Sequence, residues 1–295
     1  MLEELYYHYG RYLEISSSRG VDLPSNLQGI WNHSSSAPWH CDIHANINVQ
    51  MNYWPAETGN LSERHERFTN YIWNEAINHP EWRQNARQYA HQTKGWTMFT
   101  ENNIFGGGSV FQTNYVIGNA WHCTHLWQHY RYTLDRDFLL RKALPTMWSC
   151  CEFWLERLTL ADDGTYECPN EFSPEQGPRG QNATAHAQQL VAELFANTLA
   201  AINEAGEEAC GISASDIADL QDKYKRLDKG LATETYDGRW GTKAIAEGST
   251  LLREWKYSTF DAGENGHRHM SHLMCLYPFH QVTPRSGTLF EAAVN

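Results

Sequence analysis

Between Thr184 and Ala205 the apolar residues Leu190, Val191, Leu194, Phe195 and Leu199 recur at spacings of three and four, which sets them on one face of a helix. Arg141 to Leu160 repeats the pattern, and Ser215 to Leu227 follows it with Ser215 placed as N-cap. Leu126 to Tyr132 and Phe68 to Ile77 are shorter versions, and few stretches alternate as strands do. The pattern predicts an all-α fold of helical hairpins, each burying its apolar face against a neighbour.

Long polar and aromatic segments separate these helices: Ser16 to His44, Gly95 to Asn114, Ala161 to Ala183 and Thr233 to Gly248. Connections of that length are usually functional, so the end of the fold where they gather is where a site is expected. No Pro/Gly/Ser linker, low-complexity tract or repeat divides the chain, and one domain over residues 1–295 is expected.

Composition narrows the partners. Twenty-three Lys and Arg against 35 Asp and Glu give 23 − 35 = −12, with no basic run, which argues against nucleic-acid phosphates and anionic membrane surfaces. No apolar run approaches the roughly 18 residues of a membrane span, and Met1 to Gly10 lacks the basic and apolar regions of a signal peptide. Seven cysteines without a C-x-x-C pair suggest neither a disulfide framework nor a structural zinc site, and the adjacent Cys150 and Cys151 read as a buried helix pair. Twelve Trp, 15 Tyr and 11 Phe supply flat rings that suit either sugar faces or an ordinary core.

Four clusters could carry chemistry, each with a plainer reading. In WHCDIHANINVQMNYWPAE, Asn46 and Asn48 are flanked by Ile47 and Val49; an extended backbone would turn both amides to one side, where they could orient a water and bond hydroxyls, though as a bare pattern turn or capping duty explains them better. In PNEFSPEQGP, Glu175 lies in a stiff, helix-free loop suited to a catalytic acid, with Glu171 as competitor and a solvated carboxylate as the plain reading of both. His267, His269 and His272 around Arg268 invite a metal, but no H-E-x-x-H pattern is present and hydrogen bonding to a polyhydroxylated ligand suits them better. Gly106 to Gly108 lacks the lysine of a phosphate loop. Neither a metal nor a cofactor is expected.

Taken in order, SSSRGVDLPSNLQGIWN, WHCDIHANINVQMNYWPAETGNLSE, CPNEFSPEQGP, LLREW and HRHMSHLMCLYP resemble the catalytic domain of glycoside hydrolase family 95, known for inverting 1,2-α-L-fucosidases and some α-L-galactosidases. The resemblance implies an (α/α)6 barrel and a hydrolysis in which an acid protonates the glycosidic oxygen while a base-activated water attacks from the opposite face. It makes Glu175 the general acid, Asn46 and Asn48 the water-positioning pair, and His44, Arg268 and His269 holders of the terminal sugar of a fucosylated oligosaccharide. A raised Glu175 pKa, from desolvation under aromatic loops, goes with the acid role.

The same resemblance puts the general base on an aspartate of a D-G-N-x-G type segment beyond Asn295, so this chain is expected to be a fragment lacking the last barrel helices, and whether it is active alone is left to measurement. Asp261 and Glu264 lie near HRH, but their spacing does not promote them to the base. Family members are often exported to the periplasm or cell exterior. Two other functions fit less well: a polysaccharide lyase of the α/α toroid type, which would want a basic groove, and a non-catalytic glycan-binding module.

Overall fold

The computed structural model describes residues 1–108, 115–175, 177–240, 244–258 and 267–295. Its longest helix is the one the sequence marks most clearly. This helix, Ala185–Ala205, starts where the Thr184 hydroxyl accepts the Ala187 N–H at 3.3 Å and stops at Gly206, whose φ of +83° suits glycine. Leu190, Val191, Leu194 and Phe195 on it are buried.

In chain order the helices are α1 (Leu2–Ser18), α2 (Asn48–Tyr53), α3 (Ser62–Trp73), α4 (Glu81–Gln88), α5 (Gly118–Thr133), α6 (Arg136–Phe138), α7 (Leu144–Arg157), α8 (Ala185–Ala205), α9 (Glu207–Cys210), α10 (Ala214–Arg226) and α11 (Thr288–Val294). Among the described residues six short strands pair antiparallel in twos: β1 (Ile43–His44) with β2 (Glu101–Asn102), β3 (Thr159–Leu160) with β4 (Tyr166–Glu167), and β5 (Thr233–Thr235) with β6 (Thr250–Leu252). The fold class is the expected one, all-α of the (α/α)6-barrel type, with strands confined to the connections.

Several boundaries differ from the sequence reading. The Arg141–Leu160 segment is not one helix: Pro145 has no N–H to return to Arg141, a π-helical stretch Leu139–Ala143 precedes α7, and Thr159–Leu160 belong to β3. Ser215 is the second residue of α10 rather than its cap. Helix α1 occupies a stretch whose polar residues Glu3, Glu4, His8, Arg11 and Glu14 leave no clean apolar stripe. No described helix is long and apolar enough to cross a membrane.

The described residues form two compact units. The first, Met1–Glu156 with Asn197–Ser213, has an aromatic core. Trp82 and Trp96 stack with ring centroids 5.2 Å apart, and Tyr71 meets Trp82 edge-on at 5.5 Å. Asn119 joins this core to α7, accepting the Trp154 indole N–H at 2.9 Å and donating to the Trp96 carbonyl at 2.8 Å. Six of the 12 Trp are buried (Trp82, Trp96, Trp121, Trp127, Trp154 and Trp255), so much of the aromatic content goes to packing, each ring contributing about 1.5–3 kcal/mol. Cys150 and Cys151 are buried in α7, and all seven cysteines are free.

The second unit, Arg157–Ala196 with Ala214–Asn295, packs Leu252 of β6 with Cys275, Val282 and Ala292 of α11, and Leu231, Leu273 and Phe290 close over them. The β3–β4 hairpin turns at Gly164, with Asp163 accepting the Thr165 N–H at 2.9 Å.

Candidate active site

In the second unit the proline-flanked loop Cys168–Pro178 is held from several sides. The Arg157 guanidinium donates to Glu171 Oε1 at 3.0 and 3.2 Å and to the Pro169 carbonyl at 3.0 Å. Glu171 and Gln181 exchange backbone hydrogen bonds at 2.7 and 2.9 Å. The Ser173 hydroxyl donates to Glu254 Oε1 at 2.5 Å, and the Ser271 hydroxyl donates to the Pro174 carbonyl at 2.6 Å. At Gly177, φ is +95° and a Cβ would lie 2.4 Å from the Trp255 ring, so the loop can pass there only as glycine.

These ties present Glu175, whose side chain is 30% exposed. Arg268 Nη2 stands 3.1 Å from its Oε2, His267 Nε2 3.4 Å from the same oxygen, and His269 Nε2 3.7 Å from Oε1. The HRHMSH block and the SPEQGP loop therefore meet, bringing together three expected site residues, Glu175, Arg268 and His269. The surroundings of Glu175 differ from the apolar pocket expected under aromatic loops: a guanidinium and two imidazoles face it instead.

Burial disfavours the charged form of three imidazoles near this loop, His269, His272 and His186. Burial lowers the pKa of His269, partly countered by Glu175. Burial also takes His272 down to about 4 and His186 to about 3. Neutral rings of this kind can donate or accept a hydrogen bond to a sugar hydroxyl without adding charge.

Two other carboxyls flank the loop. Glu171, the sequence competitor of Glu175, is buried and engaged by Arg157; burial outweighs that cation and pushes its pKa up to about 7. Its geometry suits loop anchoring. Glu254, in the LLREW segment, was not singled out by the sequence; burial raises it to about 7 against the Ser173 hydrogen bond. Its partner lies 81 residues away, and no local pattern signals such a contact. Asp261 and Glu264 lie outside the described residues.

In the first unit, β1 pairs with β2 so that His44 stands opposite Glu101. His44 Nδ1 is 3.1 and 3.3 Å from the two Asp42 carboxylate oxygens, an arrangement that fixes the ring and leaves Nε2 for a ligand. Asn46 and Asn48 follow the plainer turn reading rather than an extended backbone: Asn46 is in the turn after β1 and Asn48 is the first residue of α2. Turn formation wins because the chain reverses between a strand pinned by Asn102, whose amide donates to the Ile43 carbonyl at 3.3 Å, and a helix held by Gln50, whose amide donates to the Ala45 carbonyl at 2.5 Å. Asn46 is buried and Asn48 half-buried. The SNLQGIWN segment lies alongside, the Leu27 N–H donating to the Asp42 carbonyl at 2.9 Å.

The chain is thus all-α of (α/α)6 type and presents a carboxyl among imidazole and guanidinium donors. Residues 1–295 match the glycosyl hydrolase family 95 catalytic domain, and the chain belongs to that family. It is 34% identical to "Alpha-L-fucosidase 2" of Arabidopsis thaliana, over 100% of this chain and 34% of the relative. It is 32% identical to "Probable alpha-fucosidase A" of Aspergillus niger, over 97% of this chain and 35% of that protein. The chain thus spans about a third of the length of these curated relatives. Among solved structures, a putative kojibiose phosphorylase from the human microbiome superposes with a TM-score of 0.58 at 12% identity, covering 80% of this chain and 32% of that one, a likeness of fold alone.

Proposed function

We propose that this chain carries the acid side of an inverting glycoside hydrolase that releases terminal α-L-fucose, or the closely similar α-L-galactose, from oligosaccharides. Glu175 acts as general acid, protonating the departing glycosidic oxygen. Asn46 and Asn48 orient the attacking water through their amide oxygens; an amide is no base, so the water's proton passes finally to a carboxylate. His44, Arg268 and His269 hold the terminal sugar through its hydroxyls.

The observation that carries this reading is the position of Glu175: a carboxyl at the tip of a loop anchored through Arg157, Ser173 and Ser271, with donors to either side. Anchoring fixes the acid without immobilising a helix, and positioned proton transfer of this kind contributes about 10²–10⁴-fold to a rate. The alpha-fucosidase names of the relatives support the choice of sugar.

The test is hydrolysis of an α-1,2-fucosylated oligosaccharide followed by release of free fucose, with Glu175→Gln beside the parent protein. The reading requires turnover that the substitution reduces by about 10²-fold or more. Binding without turnover in the parent would leave a glycan-binding module, and an unsaturated product absorbing in the ultraviolet would identify a lyase.

A further inference from the structure

We propose that Glu57, His65 and His129 in the first unit form a site for one divalent transition-metal ion of zinc-like donor preference, distinct from the residues of the loop Cys168–Pro178. Glu57 lies in the turn before α3, His65 on α3 and His129 on α5. Both imidazole Nδ1 atoms aim at one carboxylate oxygen, His65 at 2.7 Å and His129 at 2.6 Å from Glu57 Oε1, and the three donor atoms lie within 4.8 Å of one another. Two imidazoles and a carboxylate are a common zinc donor set.

The charge of the site argues for a cation. The side chains of Glu57 and His65 are fully buried, and among the described residues no Lys or Arg is hydrogen-bonded or ion-paired to Glu57. A buried carboxylate is ordinarily paired with a cation or bound to a metal. The outer contacts suit a metal as well. The Ser62 hydroxyl donates to Glu57 Oε2 at 2.5 Å, orienting the carboxylate. His65 Nε2 stands 2.9 Å from His125 Nδ1, so a His65 bound through Nδ1 carries its proton on Nε2 and donates it there, the hydrogen bond that metal-bound histidines ordinarily make.

Entry is open on one side. His129 borders a cavity of about 450 Å³ whose rim carries Glu63, Glu66, Asp135 and Asp137 against Arg141 and Lys142. Without metal the donors are closed on one another by hydrogen bonds; in a tetrahedral zinc site they stand about 3.4 Å apart, so the carboxylate withdraws by less than about 1 Å on binding. The ion would then tie α3, α5 and the turn between Trp54 and Leu61 together. The sequence expectation of no metal considered the cysteines and the His267–His272 block, neither of which this site involves.

The test is titration of the purified chain with Co²⁺, read by the visible d–d bands of tetrahedral cobalt, and with Zn²⁺, read by melting temperature. One equivalent of Co²⁺ giving tetrahedral bands, a Zn²⁺-dependent rise in melting temperature that a chelator reverses, and affinity at least tenfold weaker in His129→Asn and Glu57→Gln support the site. His267→Asn/His269→Asn is expected to bind as the parent does. Absence of the bands in the parent overturns the proposal, as does their persistence in a folded His129→Asn or their loss only in the His267/His269 variant. Should neither Glu57 nor His129 variant fold, the chelator-reversible shift in the parent decides alone: its presence supports the site and its absence overturns it.

Discussion

Ser173 and Glu254, 81 residues apart in the chain, are joined by a hydrogen bond of 2.5 Å two residues before Glu175. The bond couples the proline-flanked loop to the strand-following segment Arg253–Trp255, and it links a buried carboxyl to the placement of the exposed one.

Burial of Glu254, only partly offset by the Ser173 hydrogen bond, gives its contribution to stability a pH dependence with a definite sign. The folded-state pKa of Glu254 is raised to about 7 from 4.5, so between these values the folded state holds a proton that the unfolded chain has lost. Glu254 therefore contributes stability that is lost as pH rises from about 4.5 to 7, by at most about 3 kcal/mol. Glu171 and Glu14, also raised to about 7, act in the same direction, whereas His122, His186 and His272, lowered by burial to about 3, 3 and 4, oppose it below about pH 6.5. The Glu254 share is the difference between the urea-unfolding pH profiles of the parent and Glu254→Gln, and the variant should lose that part of the profile, which falls with pH.

Arg157 and Glu171 form a buried pair, so removing one partner leaves the other uncompensated. Arg157→Met is expected to destabilise by about 3–5 kcal/mol, and Arg157→Met/Glu171→Leu to recover most of that loss. Chemical denaturation of both variants checks this; a double variant no more stable than the single one would contradict it.

Asn119 satisfies both the Trp154 indole and the Trp96 carbonyl. Asn119→Ala strands two buried polar groups, and a loss of about 2–4 kcal/mol is expected in calorimetry. Trp154→Phe, which removes only the donor, should be milder.

Gly177→Ala places a methyl group against the Trp255 ring at a φ of +95°. The expected loss is about 1–3 kcal/mol, with a change in tryptophan fluorescence because Trp255 has to shift. Gly164→Ala, where nothing lies within 4 Å of the added carbon, meets only the backbone strain of its φ of +82° and leaves the fluorescence unchanged.

The sequence exposes what short-range physics controls. Helix α8 is legible because its apolar residues repeat at helical spacing between a threonine cap and a glycine stop. The stiff loop around Glu175 is legible because Pro174 and Pro178 limit its conformations. Asn46 and Asn48 admit both an extended and a turn reading because alternating polar and apolar residues look alike in a strand and in a turn entering a helix, and the distant Asn102 helps fix the turn. The environment of Glu175 is hidden for the same reason, since Arg268 is 93 residues away. Glu57 and His129, 72 residues apart, leave no local trace of their contact.

The stereochemistry of the first product, followed by proton NMR while an α-L-fucoside is cleaved, interrogates the role of Glu175 and the direction of water attack together. We expect β-L-fucose to appear first and then mutarotate, with its appearance slowed about 10²-fold or more in Glu175→Gln. First appearance of α-L-fucose, or an unchanged rate in Glu175→Gln, would contradict the account.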